Sequence, residues 1–348
     1  MRLWSEPPPL SLSPSYGGGA RDGHNRCCSP ESVADARAVC AQLGIPFYLL
    51  NFEIEFKTRV VDYMIDGYAR GVTPNPCVEC NRAVKFGALL DKARAFGADY
   101  VATGHYARVR ERAGKFELLR GVDPEKDQSY ALCLLSQAQL ARTLFPLGEF
   151  TKDQTREVAR RFNLRVAARA ESQDLCFVAD GDYRGFLRRH APSTLVSGDI
   201  VDRRNRVLGR HAGLANYTIG QRKGLGLAVG EPLFVVELDT ARNRLIIGRA
   251  DELGKRELIA AMVNWITGAP PRGETRVTAK IRYRATESRA GVMPLEGTRA
   301  RVIFDQPLRD IAPGQAVVFY DGEVCLGGGL IQASSPSGDR APVGGLPD

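Results

Sequence analysis

The sequence predicts an α/β fold: a helix-covered parallel sheet followed by two smaller β-rich domains. Three observations carry this. Between residues 30 and 103, stretches of helical periodicity alternate with short apolar runs, the pattern of strand–helix units around a parallel sheet. Past about Tyr183 the pattern changes to short alternating runs separated by turn residues. No internal repeat interrupts either part. The expected domains are 1–182 (α/β), 183–255 (central, β-rich), 256–333 (C-terminal β-barrel) and a disordered tail, 334–348.

Taken in order, residues 5–26 are rich in Pro, Ser and Gly and read as a flexible loop. Gly17-Gly18-Gly19 makes a poor phosphate cradle, with no strand before it and no Lys-Ser or Lys-Thr after it. Ser29 and Pro30 suit an N-cap and a first helical turn. Val33, Ala36, Cys40 and Leu43 then share a helical face that ends at Gly44. Ile45–Leu50 is expected as a buried strand. A helix follows over about 54–69, then the proline-punctuated loop Thr73-Pro74-Asn75-Pro76-Cys77-Val78-Glu79-Cys80-Asn81-Arg82, then a helix from about Ala83 to Phe96. Tyr100–Thr103 is a strand running into Gly104-His105, where a parallel sheet places its ligands. A lone histidine there is as well explained by a satisfied structural role. Thr151–Phe162 reads as a further helix with Thr151 and Gln154 as a capping box. Residues 232–238, 244–248, 276–283, 300–304 and 316–320 are the clearest strands of the last two domains.

The bulk numbers set limits. The chain has 348 residues, 44% of them hydrophobic and 25% charged, with a net charge of +8. That excess permits an anionic partner without requiring one. No run of eighteen apolar residues and no apolar leader core is present, so a cytoplasmic protein is expected. The eight cysteines then read as catalytic, metal-binding or unpaired thiols rather than a disulfide framework.

Four stretches could carry chemistry. Cys77-x-x-Cys80 can be a redox pair, half a metal site or two packed cysteines; Arg82 and Lys85 would favour a thiolate at Cys80. Gly121–Tyr130 is a polar run that fits ligand contact or a solvated helix start. Tyr217–Gly226 sets basic residues between glycines, which suits phosphate contact or a basic hairpin loop. From Arg272 to Arg309 there are nine Lys or Arg against four Asp or Glu. A strand through Lys280-Ile281-Arg282-Tyr283-Arg284 would align three basic side chains on one face.

Together with Met1–Trp4, Cys27-Cys28-Ser29, Ala102–Ala107, Ser172–Val178, Asn216–Gly226, Val263-Asn264-Trp265 and Pro313–Tyr320, these stretches closely resemble the bacterial tRNA-specific 2-thiouridylase (MnmA/TrmU) family. The resemblance implies an adenine-nucleotide α-hydrolase-like domain, a small central β domain and a C-terminal barrel. It implies ATP-dependent thiolation of the wobble uridine of tRNA, with ATP and Mg2+ as cofactors and a cysteine desulfurase or sulfur-relay protein as donor. ATP would adenylate the C2 oxygen. Cys176 would carry the persulfide, and Cys80 would be the nucleophile, passing through a transient disulfide with Cys176. Met1 and Gly104 would touch ATP. Asn75, Pro76 and Cys77 would meet the target base; His105, Lys126, Asp127, Gln128, Arg282, Tyr283 and Gln315 would touch tRNA.

Two departures stand out. Many relatives carry Asp at Cys77, so an iron–sulfur or redox site from Cys77, Cys80 and Cys176 is an alternative. The family's opening strand, Ser-Gly-Gly-x-Asp-Ser loop and helix have no counterpart before Met1, which is expected to be an internal methionine taken as a gene start. Without that loop the chain as written is expected not to thiolate tRNA. A non-catalytic tRNA-binding remnant is the corresponding alternative, and upstream codons discriminate between the two.

Overall fold

The computed structural model describes residues 30–168, 175–178, 181–227 and 231–333. The readings made for the N-terminal loop, Met1, Cys27, Cys28, Ser172–Asp174 and the C-terminal tail lie outside the described residues. The chain divides into two compact units, one of residues 1–54 and 153–183, the other of residues 55–152 and 184–348.

In the first unit the helix Pro30–Leu43 forms where the apolar periodicity predicts it. The Gln42 side-chain amide donates to the carbonyl of Phe162 at 2.8 Å, and Arg165 pairs with Asp35 at 2.7 Å. The second helix, Lys152–Arg161, ends at Asn163, whose positive φ of 51° suits asparagine. Ile45–Leu50, expected as a strand, forms no regular element and pairs with no strand among the described residues, and Ile45 and Tyr48 are exposed. An apolar run alone does not make a strand; a neighbour must take its backbone hydrogen bonds.

Most of the helix over Glu53–Phe56, Lys57–Asp62 and Tyr63–Ala69 lies in the second unit, and its middle third is wound with i→i+5 bonds. After the Thr73–Asn75 segment a second helix runs through Pro76–Glu79, Cys80–Ala88 and Leu89–Ala95, again with a π-wound middle. Strands β1 (Val101–Ala102) and β4 (Thr143–Leu144) pair in parallel. Between them lie the hairpin strands β2 (Ala107–Arg112) and β3 (Lys115–Arg120).

Strands β5 (Gly198–Asp202), β6 (Val207–His211), β7 (Phe234–Asp239) and β8 (Arg244–Gly248) form a four-stranded sheet in the order β6-β5-β8-β7, with β5 and β8 parallel. Strands β9 (Lys255–Trp265), β10 (Thr275–Lys280), β11 (Ser288–Leu295), β12 (Arg299–Leu308), β13 (Ala316–Asp321) and β14 (Val324–Ile331) follow in the order β13-β10-β11-β12-β9-β14. β13 also pairs with β14, so these six close into a barrel. Val277, Ala290, Val292, Val302, Phe304 and Phe319 fill its interior. Closure leaves no free edge among the six.

β14 also pairs with β3, at Val324–Leu119 and Cys325–Leu118. The hairpin of residues 107–120 thus extends the barrel's sheet. One core follows: Val78, Phe86, Leu90, Leu118, Tyr130, Leu132 and Phe145 pack with Ile266, Val318, Tyr320 and Cys325.

Candidate active site and nucleic-acid face

The Thr73–Arg82 stretch is a helix start rather than a loop. Asn75 (φ −113°) is the N-cap, its side-chain oxygen accepting from Val78 N at 3.3 Å, and Pro76 occupies the first helical position. The helix predicted from Ala83 therefore begins seven residues earlier, and the Asn-Pro pair was its signal. Cys77 sits in the first turn and is exposed; Cys80, half-buried, opens the π-wound segment. Gln139 reaches across to that segment, its side-chain amide donating to the carbonyls of Arg82 at 3.2 Å and Phe86 at 2.6 Å. Asn81 is buried and donates to the Ala131 carbonyl at 3.0 Å, while its side-chain oxygen has no partner.

The charges around Cys80 differ from expectation. Arg82 does not stand beside the thiol as an uncompensated cation. Its guanidinium donates twice to the buried carboxylate of Glu79, at 2.7 and 3.0 Å. A compensated guanidinium exerts a much weaker field on its neighbours. Lys85 is the cation felt at Cys77, where it opposes a rise in thiol pKa caused by surrounding protein atoms. The Cys77 side chain is exposed, so water limits that rise.

Ahead of the N-cap, residues 73 and 74 are held by the barrel. Thr73 N donates to the Pro313 carbonyl at 2.8 Å. The side-chain amide of Gln315 donates to the carbonyls of Thr73 and Pro74 at 3.0 and 3.2 Å. The Thr73 hydroxyl donates to the Thr218 hydroxyl of the central domain at 3.4 Å. Buried Tyr130 donates to the Ala316 carbonyl at 2.9 Å and bonds the Asn75 side chain. Gln315, which the resemblance implies as a tRNA contact, is thus bonded to the backbone of Thr73 and Pro74 in this structure.

The polar run 121–130 folds on its own carboxylate. Asp127 is buried and accepts from Gly121 N (3.1 Å), Ser129 N (3.0 Å) and the Ser129 hydroxyl (2.9 Å). Gln128 exchanges bonds with Tyr106, accepting at its side-chain oxygen (3.0 Å) and donating from its backbone (2.9 Å). These two residues shape the loop that presents half-buried Lys126. Tyr283 lies exposed over this region, its ring 6.1 Å from that of Tyr130 and 5.9 Å from the Lys280 ammonium. Its phenol is raised by burial and by the Asp127 and Cys77 charges, against Lys126 and Arg284. The Tyr283 phenol is therefore within electrostatic reach of Asp127, Lys126, Arg284 and Cys77.

The three-residue basic stripe does not form. Strand β10 ends at Lys280, and residues 281–284 bend and turn. Arg282 instead donates to the Ile219 carbonyl at 2.9 Å and faces Asp310 at 3.6 Å. The period-2 argument holds only while a strand lasts.

At the carboxyl end of β1, Gly104 is exposed, and a side chain added there would meet only Leu147, at 3.6 Å. Packing does not consume the space above its backbone. His105 is buried, its Nδ1 2.7 Å from the Thr103 hydroxyl and its ring clustered with those of Phe86 and Phe145. Burial and the Lys85 charge depress its pKa to about 3, so it is neutral at pH 7.

Cys176 belongs to the other unit. It is half-buried, in a turn closed by Val178 N donating to the Leu175 carbonyl at 3.0 Å. No disulfide links the six described cysteines, so the implied Cys80–Cys176 bridge is not formed here. No three His, Cys, Asp or Glu side chains among the described residues are grouped to hold a metal. Sequence reading gave no role to Glu79 or Gln139. The three-residue spacing of Glu79 and Arg82 on a helix signalled the first pair; nothing local signalled Gln139.

Comparison with known proteins agrees with this layout. Residues 15–180 match the family model described as tRNA methyl transferase HUP domain, residues 184–249 the tRNA methyl transferase PRC-barrel domain, and residues 255–331 the aminomethyltransferase beta-barrel domain. The chain is 52% identical over 337 residues to the tRNA-specific 2-thiouridylase MnmA of Moorella thermoacetica, covering 96% of this chain and 91% of the relative. It is 53% identical to the protein of the same name from Chloroflexus aggregans (88% and 85% covered) and 50% identical to that of Roseiflexus castenholzii (88% and 86%). Identity of this extent over nearly the whole length of several relatives, with all three domain models matched in order, shows that the chain belongs to the tRNA-specific 2-thiouridylase family.

Proposed function

We propose that this protein is a tRNA-uridine 2-sulfurtransferase that thiolates C2 of the wobble uridine, with Cys80 as the reacting thiol and Cys176 as the sulfur carrier. The observation that carries the reading is the grouping of Cys77, Lys126, Lys280 and Tyr283 beside the helix start that bears Cys80. An exposed aromatic ring between cations suits a base and its phosphates.

ATP, when bound, supplies activation of the uridine C2 oxygen as a leaving group. Gly104 fits a nucleotide, since the space over its backbone is open at the carboxyl end of a parallel strand. Mg2+ arrives with the nucleotide phosphates in this reading. Cys77 lines the target base, with Asn75 and Pro76 fixing its turn. Cys80 attacks the inner sulfur of a Cys176 persulfide; hydrosulfide leaves toward C2, and the two cysteines are left as a disulfide for reduction. A desulfurase or relay protein loads Cys176. The work is cytoplasmic, and no described helix is long and apolar enough to cross a membrane.

The test is 2-thiouridine formation, read by mass spectrometry of digested tRNA, in the protein expressed from its own locus. Cys80→Ala and Cys176→Ala each abolish the product while tRNA affinity stays within about twofold. A variant that keeps thiolating, or that loses tRNA binding, overturns the assignment.

A further inference from the structure

We infer that Gln315 is a positioning residue for the cysteine helix, acting from the barrel through the backbone of Thr73 and Pro74. This rests on the reading of Cys80 as the reacting thiol. A primary amide has two N–H donors, and the two donations of Gln315 go to the consecutive carbonyls of Thr73 and Pro74. Both contacts of this amide nitrogen are to protein backbone. The next residue is Asn75, whose side chain caps the helix that carries Cys77 and Cys80. Fixing two successive carbonyls fixes the peptide planes that enter the cap.

Three further contacts make the barrel loop a fitted seat. Thr73 N donates back to Pro313. Gly314 has φ +87°, and a side chain there would stand 2.9 Å from the Thr73 carbonyl oxygen. Gln315 itself is tied on both sides, its N donating to Ala312 O and its O accepting from Ile331 N. The clamp is thus rigid on the barrel side and grips the Thr73–Pro74 segment with side-chain donors that a single substitution removes.

The test is alkylation of the folded protein by iodoacetamide without tRNA or ATP, with each cysteine peptide quantified by mass spectrometry. Cys133 and Cys325, wholly buried, are internal controls for global opening. In Gln315→Met, which removes both donors at similar length, Cys80 alkylation rises fivefold or more while Cys133 and Cys325 stay protected. Gln315→Lys, which keeps donors but cannot accept from RNA, brings the rate back to within about twofold of the parent. A Cys80 rate unchanged in Gln315→Met overturns the inference, as does parallel reaction of Cys133 and Cys325. Filter binding of tRNA is run alongside. Weakened binding with unchanged alkylation assigns Gln315 to RNA contact. If the parent binds no tRNA, the functional reading fails while alkylation still decides the positioning role.

Discussion

The Arg82 guanidinium grips the Glu79 carboxylate with two hydrogen bonds, at 2.7 and 3.0 Å, across the turn that holds Cys80. Glu79 is 5% exposed, whereas the Arg82 side chain is 31% exposed. Removing the arginine therefore strands a buried anion. Arg82→Ala is expected to cost about 1–3 kcal/mol, measured by urea unfolding. Glu79→Gln leaves Arg82 uncompensated beside Cys80. Its Cys80 should alkylate faster at pH 7, because a nearby cation favours the thiolate. An unchanged rate would show that the pair has no electrostatic hold on the thiol.

His105 predicts an acid-side loss of stability. Its folded pKa, about 3, lies below the ordinary value of 6.5. The unfolded chain therefore takes up a proton first as pH falls. The stability His105 contributes is complete above about pH 6.5 and is lost progressively toward pH 3, by up to ~1.4 kcal/mol per pH unit. His105→Gln should flatten the stability–pH profile over that window by about one proton. His190 and His211, also depressed, keep contributing with the same sign in both proteins. Parallel profiles for parent and variant would contradict the buried neutral state.

The two basic residues flanking the end of β10 should behave differently toward tRNA. Lys280 lies over the Tyr283 ring, whereas Arg282 is bonded to Ile219 and faces Asp310. Lys280→Ala should lower the slope of log affinity against log salt by about 1. Arg282→Ala should change that slope less and lower the melting temperature more. Equal slopes in titrations from 50 to 200 mM salt, a range set by the ordinary behaviour of phosphate contacts, would count against Lys280.

Gly314→Ala tests the seat under Thr73 independently of any side-chain donor. Its φ of +87° and the 2.9 Å approach to the Thr73 oxygen both oppose a Cβ. A residue strained in this way costs on the order of 1–3 kcal/mol, read as a shift in the unfolding midpoint. A midpoint unchanged from the parent would mean the seat yields freely.

Local signals were legible where one element sufficed to carry them. The helix Pro30–Leu43 followed from its apolar spacing, and the strands read at 276–283, 300–304 and 316–320 fall on β10, β12 and β13, although β10 stops at Lys280. The Asn75-Pro76 cap was present in the sequence but was read as loop punctuation. What periodicity could not reveal was partnership. The hairpin at residues 107–120 joins a strand some two hundred residues away, and Arg282 turns inward because β10 stops short. Asp127 and Gln128 look like ligand residues in a list, yet their bonds close the loop around them. A polar run states which groups need partners; only the fold states whether protein or ligand supplies them.

The grip of Gln315 on Thr73 spans 242 positions of chain. Contacts of such separation form late, after the intervening polypeptide has been ordered. During synthesis both cysteines of the 77–80 pair leave the ribosome long before their seat exists. A chain released before residue 313 would carry the thiols without the platform that aims them. The clamp on Thr73 and Pro74 can therefore close only after the chain has been translated through residue 315.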